Sequence, residues 1–271
     1  MTTSRRSCAE DADTDTPGRP EIQVFPTSDA LTAGAAECFV AVAAAAIRTT
    51  GRFILALSGG VTPRALYERL ASQGYSSRVN WPQAQVFWGD ERCVPADDAA
   101  SNARMAREAL LDNVPVRSER VHAIRGQDDP VRAATAYESE LRAALGTPAG
   151  APTHAPGACF DLVLLGLGGD GHTASLFPGM SAVRETELWV MAEYIPAVSA
   201  WRVTLTPIVV NAASEIVFLV SGREKASILQ RVLEGPPDAQ HLPAQTIAPT
   251  AGRLRWLVDA DAAANLDRGG R

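Results

Sequence analysis

Four short segments of this 271-residue chain hold residue types whose spacing can do chemistry. The densest covers residues 160–179, FDLVLLGLGGDGHTASLFPG, where Asp170 and His172 stand two apart on a glycine-rich backbone. An imidazole with a carboxylate beside it is the usual equipment of a general base, because the carboxylate orients the ring and supports the imidazolium. Gly166, Gly168 and Gly171 also satisfy G-x-G-x-x-G, so a dinucleotide site has to be weighed. That fingerprint opens a βαβ unit and expects an acidic residue about 20 positions on. Here it lies past mid-chain, and Glu193 comes later than the spacing requires. It also leaves Asp170 and His172 unexplained.

The second segment, Ser58-Gly59-Gly60-Val61-Thr62-Pro63, follows the apolar run FILAL and precedes a helical pattern. Thr62 is placed to cap the helix and Pro63 suits its first turn. Glycines allow close backbone approach and a helix start offers free N–H groups, so a phosphate fits; a tight turn with no ligand is the alternative. The third, Gly89-Asp90-Glu91-Arg92, ends the run QVFW. At the carboxyl edge of a sheet its arginine can fork onto an anion and its carboxylates can receive sugar hydroxyls, unless the charges merely pair in a solvated loop. Cys93 has no base partner nearby and reads as a packed residue. The fourth, Ser221-Gly222-Arg223-Glu224-Lys225, repeats the order of strand, glycine and helix start. Lys225 is the only lysine among 25 basic residues, and its ammonium could reach an anion at the sheet edge or simply lie on the surface.

Other chemistries lack their motifs. There is no G-x-S-x-G elbow, no H-E-x-x-H and no G-x-x-x-x-G-K-[ST] loop, and His122, His154, His172 and His241 are too scattered to suggest a metal cluster. The four cysteines lie far apart with no CxxC pair, which argues against a disulfide framework or a zinc site. Hydrolysis without a metal, a cofactor or a covalent intermediate is the simplest option.

These segments need a scaffold, and the pattern supplies one. Apolar runs at residues 22–25, 53–57, 85–88, 161–167, 188–192, 202–205, 216–220 and 254–258 read as strands. Helical patterns at 31–48, 64–73, 102–111, 131–145, 207–213 and 224–233 fill the gaps. Several strands are apolar at nearly every position, as in sheets covered on both faces. The expected fold is a three-layer α/β/α sandwich around a mostly parallel sheet. Residues 1–20 read as a disordered arm, 21–266 as one domain, 146–157 as a Pro/Ala/Gly-rich surface loop and 267–271 as a tail. The richest apolar run, 39–47, is about half a bilayer span, and the N-terminus has no secretory h-region, so a membrane role is not expected and the cytoplasm is the default compartment. A net charge of -6 with no basic block makes nucleic acid an unlikely partner.

Taken together, LALSGGVTPRALYERLA, VFWGDERCVPADDAASNARMAREALL, FDLVLLGLGGDGHTASLFPG, RVTLTPIVVNAASEIVFLVSGREKASIL and LPAQTIAPTAGRLRWLVDADAAANL resemble the 6-phosphogluconolactonase family, in family order over roughly residues 53 to 265. The resemblance implies a modified Rossmann-like fold and hydrolysis of 6-phospho-D-glucono-1,5-lactone, a small-molecule substrate, in the oxidative pentose phosphate pathway. No obligate protein partner is implied. Carried onto matching positions, Ser58, Gly59, Gly60 and Thr62 would hold the phosphate, helped by Arg92 and Lys225. His172 would activate water, with Asp170 orienting it. Asp90, Gly169 and Arg202 would be further substrate contacts, and the N–H groups of residues 168–171 or Arg92 would be oxyanion donors. The related glucosamine-6-phosphate deaminases would carry a carboxylate shortly after the histidine. Residues 174–179, ASLFPG, have none. A non-catalytic sugar-phosphate sensor would have no need of both Asp170 and His172.

Overall fold

The computed structural model describes residues 20–147, 159–249 and 251–267. The arm at 1–20, most of the 146–157 loop and the tail at 267–271 therefore lie almost wholly outside the described residues.

The chain alternates strands and helices: β1 (Glu21–Phe25), α1 (Ser28–Thr50), β2 (Phe53–Leu57), α2 (Val61–Ala71), α3 (Gln73–Ser76), β3 (Ala84–Trp88), β4 (Asp90–Arg92), α4 (Asn102–Ala109) and α5 (Pro130–Ala144). It continues with β5 (Leu162–Leu165), β6 (Val190–Ile195), β7 (Ala200–Leu205), α6 (Pro207–Asn211), β8 (Glu215–Val220), α7 (Ala226–Glu234) and β9 (Arg253–Asp259). Six strands form a parallel sheet in the order β1-β9-β8-β5-β2-β3. Helices flank this central sheet on both sides, as the apolar runs anticipate. Strands β2, β5 and β8 are buried at every position, which only a sheet covered on both faces allows. The buried side chains form one continuous core from Leu31 to Leu266.

Because the strands run parallel, their carboxyl ends share one edge, so the loops after β8, β5, β2 and β3 emerge side by side. Those loops are the four segments singled out above.

Several boundaries differ from the sequence pattern. Residues 90–92 are not a charged loop but strand β4, which pairs antiparallel with β7, and β7 with β6, in a separate three-stranded sheet. Three polar residues in a row carry no apolar signal, so only the pairing reveals the strand. The run 161–167 yields a strand only at 162–165, since Gly166 onward turns away. Residues 223–225 form a 3-10 turn ahead of α7 rather than its first turn. Helix α1 is also long and apolar enough to cross a bilayer by length and composition, contrary to the run-length argument. It packs against β9, β2 and α2 through Leu31, Ala35, Ala36, Phe39 and Ala43, as a core helix does.

Candidate functional site

Two buried tyrosines hold the strand ends where the site begins. The Tyr67 hydroxyl, from α2, accepts from the Ser58 N–H at 2.9 Å and donates to the Ser58 carbonyl at 2.8 Å. The Tyr137 hydroxyl, from α5, accepts from the Trp88 N–H at 2.6 Å and donates to the Trp88 carbonyl at 3.0 Å. Burial raises both phenols above their ordinary range, so each remains a neutral donor and acceptor. Satisfied backbone at the ends of β2 and β3 fixes where the next residues point.

Beyond Ser58 the chain enters α2 through Gly60, at φ 106°, with no side-chain cap. The first N–H groups of the helix are therefore open to a ligand. Thr62 does not cap the helix: it lies inside the first turn and lines a different depression, with Ser28, Arg69 and Ser221. The helix starts one residue before Thr62, so its hydroxyl is past the position from which capping works.

Strand β4 is pinned to α4 by Glu91, which is only 2% exposed. Its carboxylate accepts from the Asn102 and Ala103 N–H groups at 2.7 Å each, from the Arg92 N–H at 2.8 Å and from the Ser101 hydroxyl at 3.0 Å. Burial pushes this carboxyl up while those N–H groups pull the other way. The clamp sets Asn102, whose side-chain amide donates to the Asp90 carbonyl at 3.0 Å. A Cβ at Gly59 would fall 1.9 Å from Asn102 Oδ1, so only glycine fits against that amide. Asp90, 7% exposed, accepts from the Ser175 hydroxyl at 2.6 Å.

In the glycine loop, Gly171 at φ 89° turns the chain so that Asp170 reaches forward to its neighbour. Asp170 Oδ1 lies 2.5 Å from His172 Nδ1 and accepts from the His172 N–H at 3.1 Å. Burial raises the Asp170 carboxyl, but the His172 backbone N–H and the imidazole outweigh it and hold the group below the usual aspartate range. An ionised carboxylate can only accept, so Nδ1 carries the proton and the Nε2 lone pair is free. Ala174 is held at φ 47°, a conformation few non-glycine residues adopt, and it lines the same cleft. No helix follows Gly171; the chain closes a Thr173–Leu176 bridge instead, so the phosphate-binding helix start of a dinucleotide site is absent.

Ser58, Gly59, Gly60, Asp90, Arg92, Gly169, His172 and Lys225 line one cleft of about 310 Å³, as their motifs suggest. Leu167 and Ala174 of the glycine-rich segment line it too, as does Asn102 at the start of α4, which no chemical motif marks. Larger depressions lie elsewhere, one of about 420 Å³ between α5 and β6, but they do not bring such chemistry together. The Ser221 hydroxyl and the Gly222 N–H bond to Asp259, which steadies the turn carrying Lys225. Arg202 does not line the cleft itself; it sits on β7 directly opposite Arg92. Burial lowers the Arg202 pKa, and the facing Arg92 lowers it further. No salt bridge among the described residues reaches Arg92, Arg202 or Lys225, although Arg92 donates from Nη1 to the Ala100 carbonyl at 2.6 Å. Of the proposed oxyanion donors, the N–H groups of Gly168 and Gly171 are spent inside the loop, on the carbonyls of His172 and Gly168. Among the described residues, no group of three or more His, Cys, Asp or Glu side chains is arranged to hold a metal ion.

A family model described as glucosamine-6-phosphate isomerases/6-phosphogluconolactonase matches residues 26–256. A 6-phosphogluconolactonase of Nostoc sp. is 38% identical over 246 residues, covering 90% of this chain and 98% of its own. One from Mycobacterium tuberculosis is 38% identical over 253 residues, with 90% and 98% coverage. The solved structure of 6-phosphogluconolactonase from Trypanosoma cruzi superposes with a TM-score of 0.80 at 32% identity, covering 93% of this chain and 98% of that one.

Proposed function

Because the chain belongs to the glucosamine-6-phosphate isomerase/6-phosphogluconolactonase family, we propose that it hydrolyses 6-phospho-D-glucono-1,5-lactone to 6-phospho-D-gluconate, with His172 as general base. The activity is that of a lactone hydrolase, as in its relatives. The observation that carries the mechanism is the Asp170–His172 contact at 2.5 Å, which leaves Nε2 as the basic edge of the ring.

The phosphate is held by the uncapped start of α2 with Ser58, Gly59 and Gly60, and by Arg92 and Lys225 across the cleft. Arg202 adds charge behind Arg92, and Asp90 and Gly169 receive the sugar. A local pocket of this kind suffices for one dianion on a protein of net charge -6. His172 Nε2 takes a proton from water, whose oxygen attacks the lactone carbonyl. The Gly169 N–H, which has no hydrogen-bond partner among the described residues, or Arg92 supports the oxyanion. Collapse breaks the ring ester bond, and the ring oxygen leaves as a hydroxyl after taking the proton back from His172. A lactone is already reactive, so one positioned base, contributing roughly 10²–10⁴-fold, is enough without a metal or cofactor.

The deciding experiment follows freshly generated 6-phosphogluconolactone with and without the protein and with EDTA. Turnover unaffected by EDTA and lost in His172→Ala is expected, with phosphosugar binding retained. Wild-type turnover in that variant would remove the base assignment, and equal turnover of the unphosphorylated lactone would remove the phosphate site. Loss of turnover in EDTA would overturn metal independence.

A further inference from the structure

The imidazole of His172 is restrained on more sides than the hydrogen bond to Asp170 supplies. One face packs on backbone so closely that a Cβ at Gly168 would fall 2.1 Å from Nδ1. The Phe177 ring stacks on the imidazole, with centroids 4.2 Å apart and planes 21° from parallel. Phe177 is itself 7% exposed, so its ring is held rather than loosely laid over the histidine. The loop delivers it there by doubling back. Thr173 donates from its hydroxyl to the Gly166 carbonyl at 2.9 Å, and Leu176 donates from its N–H to the Thr173 carbonyl at 2.9 Å. Gly179 is then tied to the Gln240 carbonyl at 2.9 Å.

We propose that Phe177 is a positioning residue for the reaction: its ring fixes the plane of the His172 imidazole and supports the imidazolium formed when water is deprotonated. The inference rests on His172 being the base. A charge over the face of an aromatic ring is attracted by its quadrupole, and more so where water is scarce; the His172 side chain is only 28% exposed. Besides Asp170, which bonds the ring, the charged groups lining the same cleft are Asp90 and Arg92 from β4 and Lys225 ahead of α7. An exchange at Phe177 leaves all of them in place, so it isolates the contribution of the ring.

The test compares Phe177→Leu, Phe177→Met and Phe177→Tyr. Leucine and methionine keep an apolar cover without the ring, and tyrosine keeps the ring. With leucine or methionine, kcat should fall about tenfold with KM within about twofold, since ring misplacement acts on the reacting geometry. In an NMR titration of the free enzyme, the His172 imidazole should titrate about half to one pH unit lower in these variants, because the imidazolium has lost its aromatic partner. Tyrosine should restore both readouts. Wild-type kcat and titration in Phe177→Leu or Phe177→Met would overturn the proposal, as would equal losses in all three variants with no change in titration. His172→Ala, assayed alongside, separates the two readings. An active His172→Ala refutes the base; an inactive one beside a wild-type Phe177→Leu refutes only the role of Phe177.

Discussion

Gly168→Ala should disable the enzyme while leaving it folded. A Cβ built on Gly168 meets His172 at 2.1 Å from Nδ1, 2.2 Å from Cε1 and 2.7 Å from Cγ, all below the 3.0 Å that real Cβ atoms essentially never breach. The backbone at Gly168 is not in the positive-φ region, so the cost falls on the imidazole rather than on the chain. To clear the methyl the ring must move by roughly 1 Å, a displacement that costs about 100-fold when it misplaces a reacting group. That factor is about 2.7 kcal/mol of transition-state stabilisation. The same movement breaks the 2.5 Å contact to Asp170 and so releases the Nδ1 proton that keeps Nε2 basic. Steady-state hydrolysis of 6-phosphogluconolactone, corrected for spontaneous opening, measures kcat, and thermal unfolding confirms the fold. Gly169→Ala is the matched comparison, since a Cβ there meets nothing within 4 Å. Its effect should fall on KM, through the cleft lining, with kcat within about twofold. Full kcat in Gly168→Ala would refute the reasoning, because the imidazole would then work from a place the structure does not give it.

Three further outcomes follow. Asp170→Asn should lower kcat about 10²-fold and move the His172 imidazole titration to lower pH, because the carboxylate that supports the imidazolium is gone; NMR titration with no shift would count against the pairing. The native Asp170, held below the ordinary aspartate value, stays ionised throughout the range in which an imidazole titrates. Arg202→Gln should raise KM for the phosphorylated lactone yet stabilise the free protein by about 0.5 kcal/mol, since it removes a like charge facing Arg92 across β4 and β7; a lower denaturation midpoint would refute this. Glu91→Ala should cost about 3 kcal/mol or more in denaturant unfolding, because three backbone N–H groups and the Ser101 hydroxyl lose one buried acceptor. A loss under about 1 kcal/mol would show that the clamp is not structural.

What the sequence reveals is mostly what neighbouring residues decide among themselves. The fully apolar runs at β2, β5 and β8 show strands buried on both faces, and the Asp170–His172 pair needs only one intervening glycine with positive φ. The signal fails where the partner is distant. Strand β4 has no apolar pattern because its identity comes from pairing with β7. Ser175 and Asp90, 85 residues apart, meet only in the folded chain, as do Tyr137 and the end of β3, 49 residues apart. Thr62 shows the converse: a residue suited to capping by type lies two residues past the N-cap, Gly60, too late to do so.

The amino-acid sequence alone thus determined the motifs, their order, and the layered fold implied by strands with no polar face. Only the tertiary structure decided that the four motifs form one cleft, because the strand order β8-β5-β2-β3 places their carboxyl ends side by side. It likewise decided that Arg202 faces Arg92 and that Phe177 covers His172, since register and loop closure bring those side chains together. Local preference sets what each segment can be, and packing between segments distant along the chain sets which side chains meet.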